Sequence, residues 1–256
     1  MAEADRQRSV RVGIGVGLPL VAAVALAALL LRLLPADAMG RWRLSPAVVA
    51  GVCWAGQLWY VGYGFDSGWP TDGFWRRLLG LANAVTLARG ALYAAVAGFV
   101  VVPPDTGLAW GPALCYGAGV AFDNLDGTLA RTVGRETEVG RRLDMAFDTF
   151  GFVAAPLVAV VWGLLPVWYL SLSAARYVFR GLVWLRRARG LPVGDLPDSD
   201  LGRYLAGVQM VFVTIALVPP VPTELVWALA PAVLAPSLAV FARDYLAVSG
   251  RLPGRS

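Results

Sequence analysis

The chain has 256 residues, 58% of them hydrophobic and only 15% charged, with a mean hydropathy of +0.63. A soluble domain carries about 25% charged residues, so the composition excludes an ordinary soluble fold. The net charge is +5, but every one of the 22 basic residues is arginine and they gather at the ends of apolar runs, the pattern of a membrane protein rather than of a nucleic-acid surface.

Crossing a bilayer takes roughly 20 apolar residues in a helix, and eight such spans are expected: about 12–34, 46–64, 82–102, 109–131, 141–164, 166–185, 204–220 and 223–246. The first is read as a span although a small-x-small site, Ala36-Asp37-Ala38, follows it, because its apolar stretch exceeds that of a signal peptide. Between spans two and three, Trp69, Phe74 and Trp75 alternate with Arg76 and Arg77, which suits a short interfacial helix or a plain aromatic belt. Loops 131–142 and 186–189 are rich in arginine, whereas those near Pro103–Gly107, Leu165–Val167 and Pro219–Pro222 have none. The arginine-rich side is therefore expected to be cytoplasmic. Arg41 and Arg43 run against this rule and leave the topology of 1–64 open. Cys53 and Cys115 lie in separate apolar runs and read as small buried residues. The fold expected is all-α and polytopic: an N-terminal extension with two transmembrane helices (1–64), an interfacial segment (65–81), a six-helix core (82–248) and a tail (249–256).

One stretch, AFDNLDGTLARTVGRETEVGRRLDMAFDTFG (121–151), sets four aspartates in this apolar chain. A carboxylate inside a membrane helix costs several kcal/mol, which makes it a candidate functional group. Asp123 and Asp126 are spaced i,i+3, and Asp144 and Asp148 i,i+4, so each pair shares a helical face. The arginine-rich turn between them makes an antiparallel hairpin, on which the two pairs can meet. Four adjacent carboxylates repel one another unless cations neutralise them. All-oxygen ligation selects hard divalent ions, magnesium or manganese, and two such ions can polarise a phosphoryl group. The chain has no histidine, so a general base must be a carboxylate, a tyrosine or a water. Gly127 and Gly140 beside the acidic pairs leave room for a substrate to approach. The bland alternative is a salt-bridge network with Arg131, Arg135 and Arg142. A superficial likeness of FDNLDGTL to the DxDGT box of haloacid-dehalogenase-type phosphatases breaks down at Asn124, where that box needs aspartate.

The same residues carry a resemblance to the CDP-alcohol phosphotransferases, whose signature runs D-x2-D-G-x2-A-R-x8-G-x3-D-x3-D. Asp123, Asp126, Gly127, Ala130, Arg131, Gly140, Asp144 and Asp148 match every fixed position and gap. Upstream, LANAVTLARG resembles that family's N-x-x-T-x-x-R, as Asn83, Thr86 and Arg89. The likeness spans roughly 75–248 and implies a six-helix core, two magnesium or manganese ions, a CDP-linked donor, release of CMP and a homodimer. It implies Asp123, Asp126 and Asp144 as metal ligands, and Asp148 as ligand to the second ion and base toward the attacking hydroxyl. It also implies contacts to the CDP moiety from Arg131, Gly127, Ala130 and Gly140, with Asn83 and Thr86 as further candidates.

The acceptor is the open question. Arg176 and Arg180, at i,i+4 on the sixth span, suit a clamp for a phosphorylated acceptor, or else they pair with aspartates or snorkel. The segment GRYLAGVQM (202–210) distantly resembles the G-K-x-x-T-x-x-Q of glycerolphosphate-using members, with Arg203 and Ala206 departing from it. The reading is transfer from a CDP-activated lipid to a small polar acceptor, a phosphorylated polyol such as glycerol 3-phosphate or inositol phosphate. Serine, free inositol and the amino-alcohol branch are alternatives. A transporter would be expected to show paired inverted repeats, and no second acidic hairpin exists in the chain.

Overall fold

The computed structural model describes residues 46–63, 81–133, 138–194 and 200–251. The first expected span, the interfacial segment and the tail beyond 251 lie outside the described residues. Among the described residues the chain is all-helical: α1 (Pro46–Tyr63), α2 (Leu81–Gly98), α3 (Gly111–Val133), α4 (Glu138–Val161), α5 (Ser171–Ala188), α6 (Asp200–Ala216) and α7 (Thr223–Val248). Short 3₁₀ turns, Phe99–Val101 and Val167–Leu170, finish α2 and introduce α5.

The helices bury stripes at the 3–4 spacing of a helix face. On α2 the buried series is Thr86, Arg89, Tyr93 and Val96, continued by Val100 in the 3₁₀ turn. On α4 it is Leu143, Phe147, Phe150, Ala154 and Val158. On α3, Ala113 and Tyr116 are buried and Val120 packs against the core. Helix α2 lies at the centre of one group, packed against α1, α3 and α4, while α7 packs on α5 and α6.

Close approach at the centre depends on two glycines. The Tyr93 ring lies between α3 and α4, where a Cβ on Gly119 would come within 2.3 Å of it and one on Gly151 within 2.8 Å. Polar ties fix the helix ends. Trp162 Nε1 donates to the carbonyls of Val102 (2.9 Å) and Phe99 (3.2 Å), holding the end of α2 to that of α4. Buried Gln209 accepts from Tyr169 Oη and donates to Val233 O and Ser237 Oγ (2.8 and 2.9 Å), joining the turn before α5 to α6 and α7.

Among the described residues, two helices are long and apolar enough to cross a membrane by composition, at Leu143–Val161 and Thr223–Val248. The first is largely wrapped by neighbours, whereas only 22% of the second is buried, so its apolar surface faces outward. The other helices fall short of that test partly because they carry the charges of interest, among them Asp123 on α3 and Arg176, Arg180, Arg186 and Arg187 on α5. Trp110, Trp168 and Trp227 are exposed, each beside an arginine-free turn. That placement fits an aromatic belt at one interface.

Candidate metal centre and active site

The acidic hairpin forms as its spacing requires. Asp123 continues the buried stripe of α3, three residues after Val120. Asp144 and Asp148 each follow a fully buried residue of α4, Leu143 and Phe147. One residue turns a helix by about 100°, so both carboxylates sit at the edge of the buried face. Ligand atoms of Asp123, Asp144 and Asp148 all lie within 4.8 Å of one another.

The partner of this cluster is Arg89. Its Nη1 donates to Asp123 Oδ1 and its Nη2 to Asp144 Oδ1, and Nη2 stands 3.1 Å from Asp148 Oδ1. Nη2 also reaches the Asp144 carbonyl at 3.4 Å. The guanidinium side chain is 0% exposed, against 35%, 46% and 27% for Asp123, Asp144 and Asp148. Arg89 thus closes the cluster from within, and the carboxylates remain open on another side. Asp148 Oδ1 is buried without a hydrogen-bond partner. That oxygen is held only by its ion pair with Arg89 Nη2, so it keeps lone pairs for a cation or a proton. Three oxygen donors at this spacing, on carboxylates that stay partly exposed opposite Arg89, fit a hard divalent ion.

The other expected site residues divide. Thr86 is buried on α2, one turn before Arg89. Asp126, Gly127, Ala130 and Arg131 lie on α3, Gly140 on α4 and Asn83 on α2; their side chains fall outside the described residues. So do those of Arg135 and Arg142, the partners expected in the salt-bridge alternative. Among the described residues the carboxylates pair with Arg89, which spacing alone did not single out.

Next to the carboxylates a cavity of about 140 Å³ opens between α4, α5, α6 and α7. Arg176 lines it, donating to Thr149 Oγ1 at 2.9 Å, with its guanidinium 5.5 Å from the centre of the Phe152 ring. Thr149 follows Asp148 directly and is held by its own bond to Met145 O (2.7 Å). Arg180, one turn on, is half-buried and is not among the lining residues. Gly202, Ala206 and Gln209 of the GRYLAGVQM segment do line the cavity. Arg203 of that segment is exposed and bonds Asp200 at 2.9 Å. Gln209 and Asp244, which also line the cavity, were not picked out as site residues by sequence. The imperfect Q-ending motif was the signal that could have found Gln209.

The sequence pattern of the CDP-alcohol phosphatidyltransferase family matches residues 79–240, more than half of the chain and all three clustered aspartates. The chain belongs to the CDP-alcohol phosphatidyltransferase family. CDP-alcohol phosphatidyltransferases use a CDP-alcohol donor and an alcohol acceptor, generally with a divalent metal, and are generally integral to membranes. Proteins of Mycobacterium bovis and Mycobacterium tuberculosis named "Putative cardiolipin synthase" are 32% identical over 135 residues, 51% of this chain. The chain spans 63% of the length of these relatives. No solved structure gives a significant match.

Proposed function

We propose that this member of the family is a metal-dependent phosphatidyltransferase that moves a phosphatidyl-type group from a CDP-activated lipid to the hydroxyl of a small polar acceptor, releasing CMP. A phosphorylated polyol, such as glycerol 3-phosphate or inositol phosphate, is the favoured acceptor. The observation that carries the reading is the adjacency of the three-carboxylate cluster to the Arg176-lined cavity, with Asp148 and Thr149 as the seam between them.

In this reading Asp123, Asp144 and Asp148, with Asp126 from the same signature, hold two magnesium or manganese ions. Such ions neutralise the diphosphate and polarise the phosphoryl group. Asn83, Thr86, Gly127, Ala130, Arg131 and Gly140 are assigned to the CDP moiety. Arg176 takes the acceptor's phosphate by charge-assisted hydrogen bonds, and Arg180 strengthens the positive field behind it. Asp148 accepts the proton of the acceptor hydroxyl, whose oxygen forms a new bond to phosphorus as the bond to CMP breaks. Metal ligation and proton transfer at neighbouring oxygens of one carboxylate are compatible, since each carboxylate has two oxygens with spare lone pairs. Positioning and electrostatics supply most of the catalysis in such a transfer.

The rest of the proposal concerns placement. Residues 82–248 form a six-helix membrane core preceded by two further spans, and the arginine-rich end, with the carboxylates near it, faces the cytoplasm. The enzyme works as a homodimer, as the family resemblance implies. A second acceptor reading comes from the name of the mycobacterial relatives. In cardiolipin synthesis the accepting hydroxyl belongs to an anionic lipid, and the apolar residues of the cavity lining, including Phe152, Leu205 and Phe241, are compatible with a lipid there.

Purified protein in lipid nanodiscs with CDP-diacylglycerol and magnesium tests this, with CMP measured for each acceptor separately. Release with glycerol 3-phosphate or inositol phosphate supports the favoured reading. Release only with phosphatidylglycerol supports the second, and release only with serine or free inositol removes the phosphate clamp. No release with any acceptor refutes transfer from a CDP-activated lipid and points to the amino-alcohol branch or to a fold that has lost the reaction.

A further inference from the structure

We propose that Arg89 is a built-in counter-ion of the carboxylate centre, a positioning residue that competes with divalent ions for the charge of Asp123, Asp144 and Asp148 and so limits how tightly metal binds. This rests on the metal reading above. Arg89 occupies a core position in the buried stripe of α2, between Thr86 and Tyr93, where an apolar side chain would ordinarily pack. A guanidinium with 0% exposure is expensive to desolvate. What compensates here is ionic contact with two other helices at once, Asp123 on α3 and Asp144 and Asp148 on α4. Arg89 Nε stays buried without a hydrogen-bond partner, so the side chain is committed to the aspartates at the cost of its own third donor group.

The charge count gives the sign. The three carboxylates in contact with Arg89 and its guanidinium sum to −2, before Asp126 is counted, so the centre still attracts divalent ions. The contacts from Arg89 run to the Oδ1 atoms, and each carboxylate has a second oxygen with its own lone pairs. A divalent ion held by these carboxylates is still repelled by the guanidinium a few ångströms away. A neutral side chain at 89 removes the repulsion and leaves −3, so metal binds more tightly while the metal-free protein loses stability. Arg89 therefore holds α3 and α4 together before metal arrives, and moderates the affinity once it does.

Magnesium titration followed by thermal unfolding tests this in detergent-purified protein without substrate, comparing wild type, Arg89→Gln and Arg89→Lys. For Arg89→Gln the metal-free Tm should fall, and the half-saturating magnesium concentration should fall by about tenfold or more. That is roughly the effect of one charge facing a divalent ion at ~5 Å even with the dielectric of bulk water. Arg89→Lys keeps the charge and should stay near the wild-type half-saturation while losing some metal-free stability. If Arg89→Gln cannot be isolated without metal, the proposal requires millimolar magnesium during purification to restore a folded protein. A purely structural arginine gives a lower Tm with unchanged or weaker magnesium binding, or a variant that metal does not rescue, and either result overturns the proposal. A wild-type Tm that ignores magnesium overturns the metal reading itself and this role with it.

Discussion

Substituting Gly119 by alanine tests how the helix packing sets the carboxylates. The new Cβ would lie 2.3 Å from Tyr93 Cε1, whereas ordinary contact begins near 3.4 Å. The difference of about 1 Å cannot be absorbed by the ring moving away, because Gly151 of α4 already stands close on another side, where a Cβ would come within 2.8 Å. Helix α3 must therefore shift from α2, and Asp123, one turn beyond Gly119 on α3, shifts with it. Overpacking of this kind costs about 1–3 kcal/mol, or roughly 2–4 °C in Tm for each kcal/mol in a chain of this size. A misplacement of ~1 Å at a reacting centre can cost about 100-fold in rate. Thermal unfolding and CMP release on the same nanodisc preparation measure both effects. Trimming the ring in a Gly119→Ala/Tyr93→Leu double variant should recover part of the activity. A single variant with wild-type Tm and turnover would refute the packing argument.

Other expectations follow from individual contacts. Arg176→Ala should raise the KM for a phosphorylated acceptor about 10–100-fold, the range of a lost charge-assisted hydrogen bond of ~1.5–3 kcal/mol, with little change for the CDP donor; equal losses for both would remove the clamp. Gln209→Leu leaves Tyr169 Oη, Ser237 Oγ and Val233 O without their partner, and should cost about 2–4 kcal/mol of stability, read by chemical denaturation. Trp162→Phe removes the donor to the Val102 and Phe99 carbonyls at the end of α2. It should cost about 1–2 kcal/mol while leaving turnover unchanged, since that end lies away from the carboxylates.

The helices were readable because charge and turn residues mark their ends. Pro103 and Pro104 separate α2 from α3, Pro166 precedes the turn into α5, and Pro219 to Pro222 separate α6 from α7. The seven described helices lie within a few residues of the bounds of seven expected spans, but only two are long and apolar enough to cross a membrane, and the 3₁₀ turns at Phe99–Val101 and Val167–Leu170 were read as parts of spans. The two aspartate pairs were readable from i,i+3 and i,i+4 spacing, which reports faces of single helices. Arg89 was visible only as a motif position, because its carboxylate partners lie 34 and 55 residues further along the chain. Spacing rules do not reach across helices, and a lone arginine in an apolar run gives no hint of which helix supplies its counter-charges. The fit of Tyr93 against Gly119 and Gly151 was hidden for the same reason. Arg176 and Arg180 looked equivalent as an i,i+4 pair, yet only Arg176 lines the cavity, because the neighbours that anchor it, Thr149 and Phe152, come from α4.

The central claim is that clustered carboxylates run a metal-dependent transfer with Asp148 as the base. CMP release from CDP-diacylglycerol and the acceptor that supports turnover, measured for wild type and Asp148→Asn with and without chelator, tests it most directly. The account predicts that chelator abolishes wild-type release. It also predicts that Asp148→Asn loses about 10²–10⁴-fold in rate while still folding and binding the CDP donor. Release that survives chelation, or an Asp148→Asn protein that keeps most of its turnover, would contradict it.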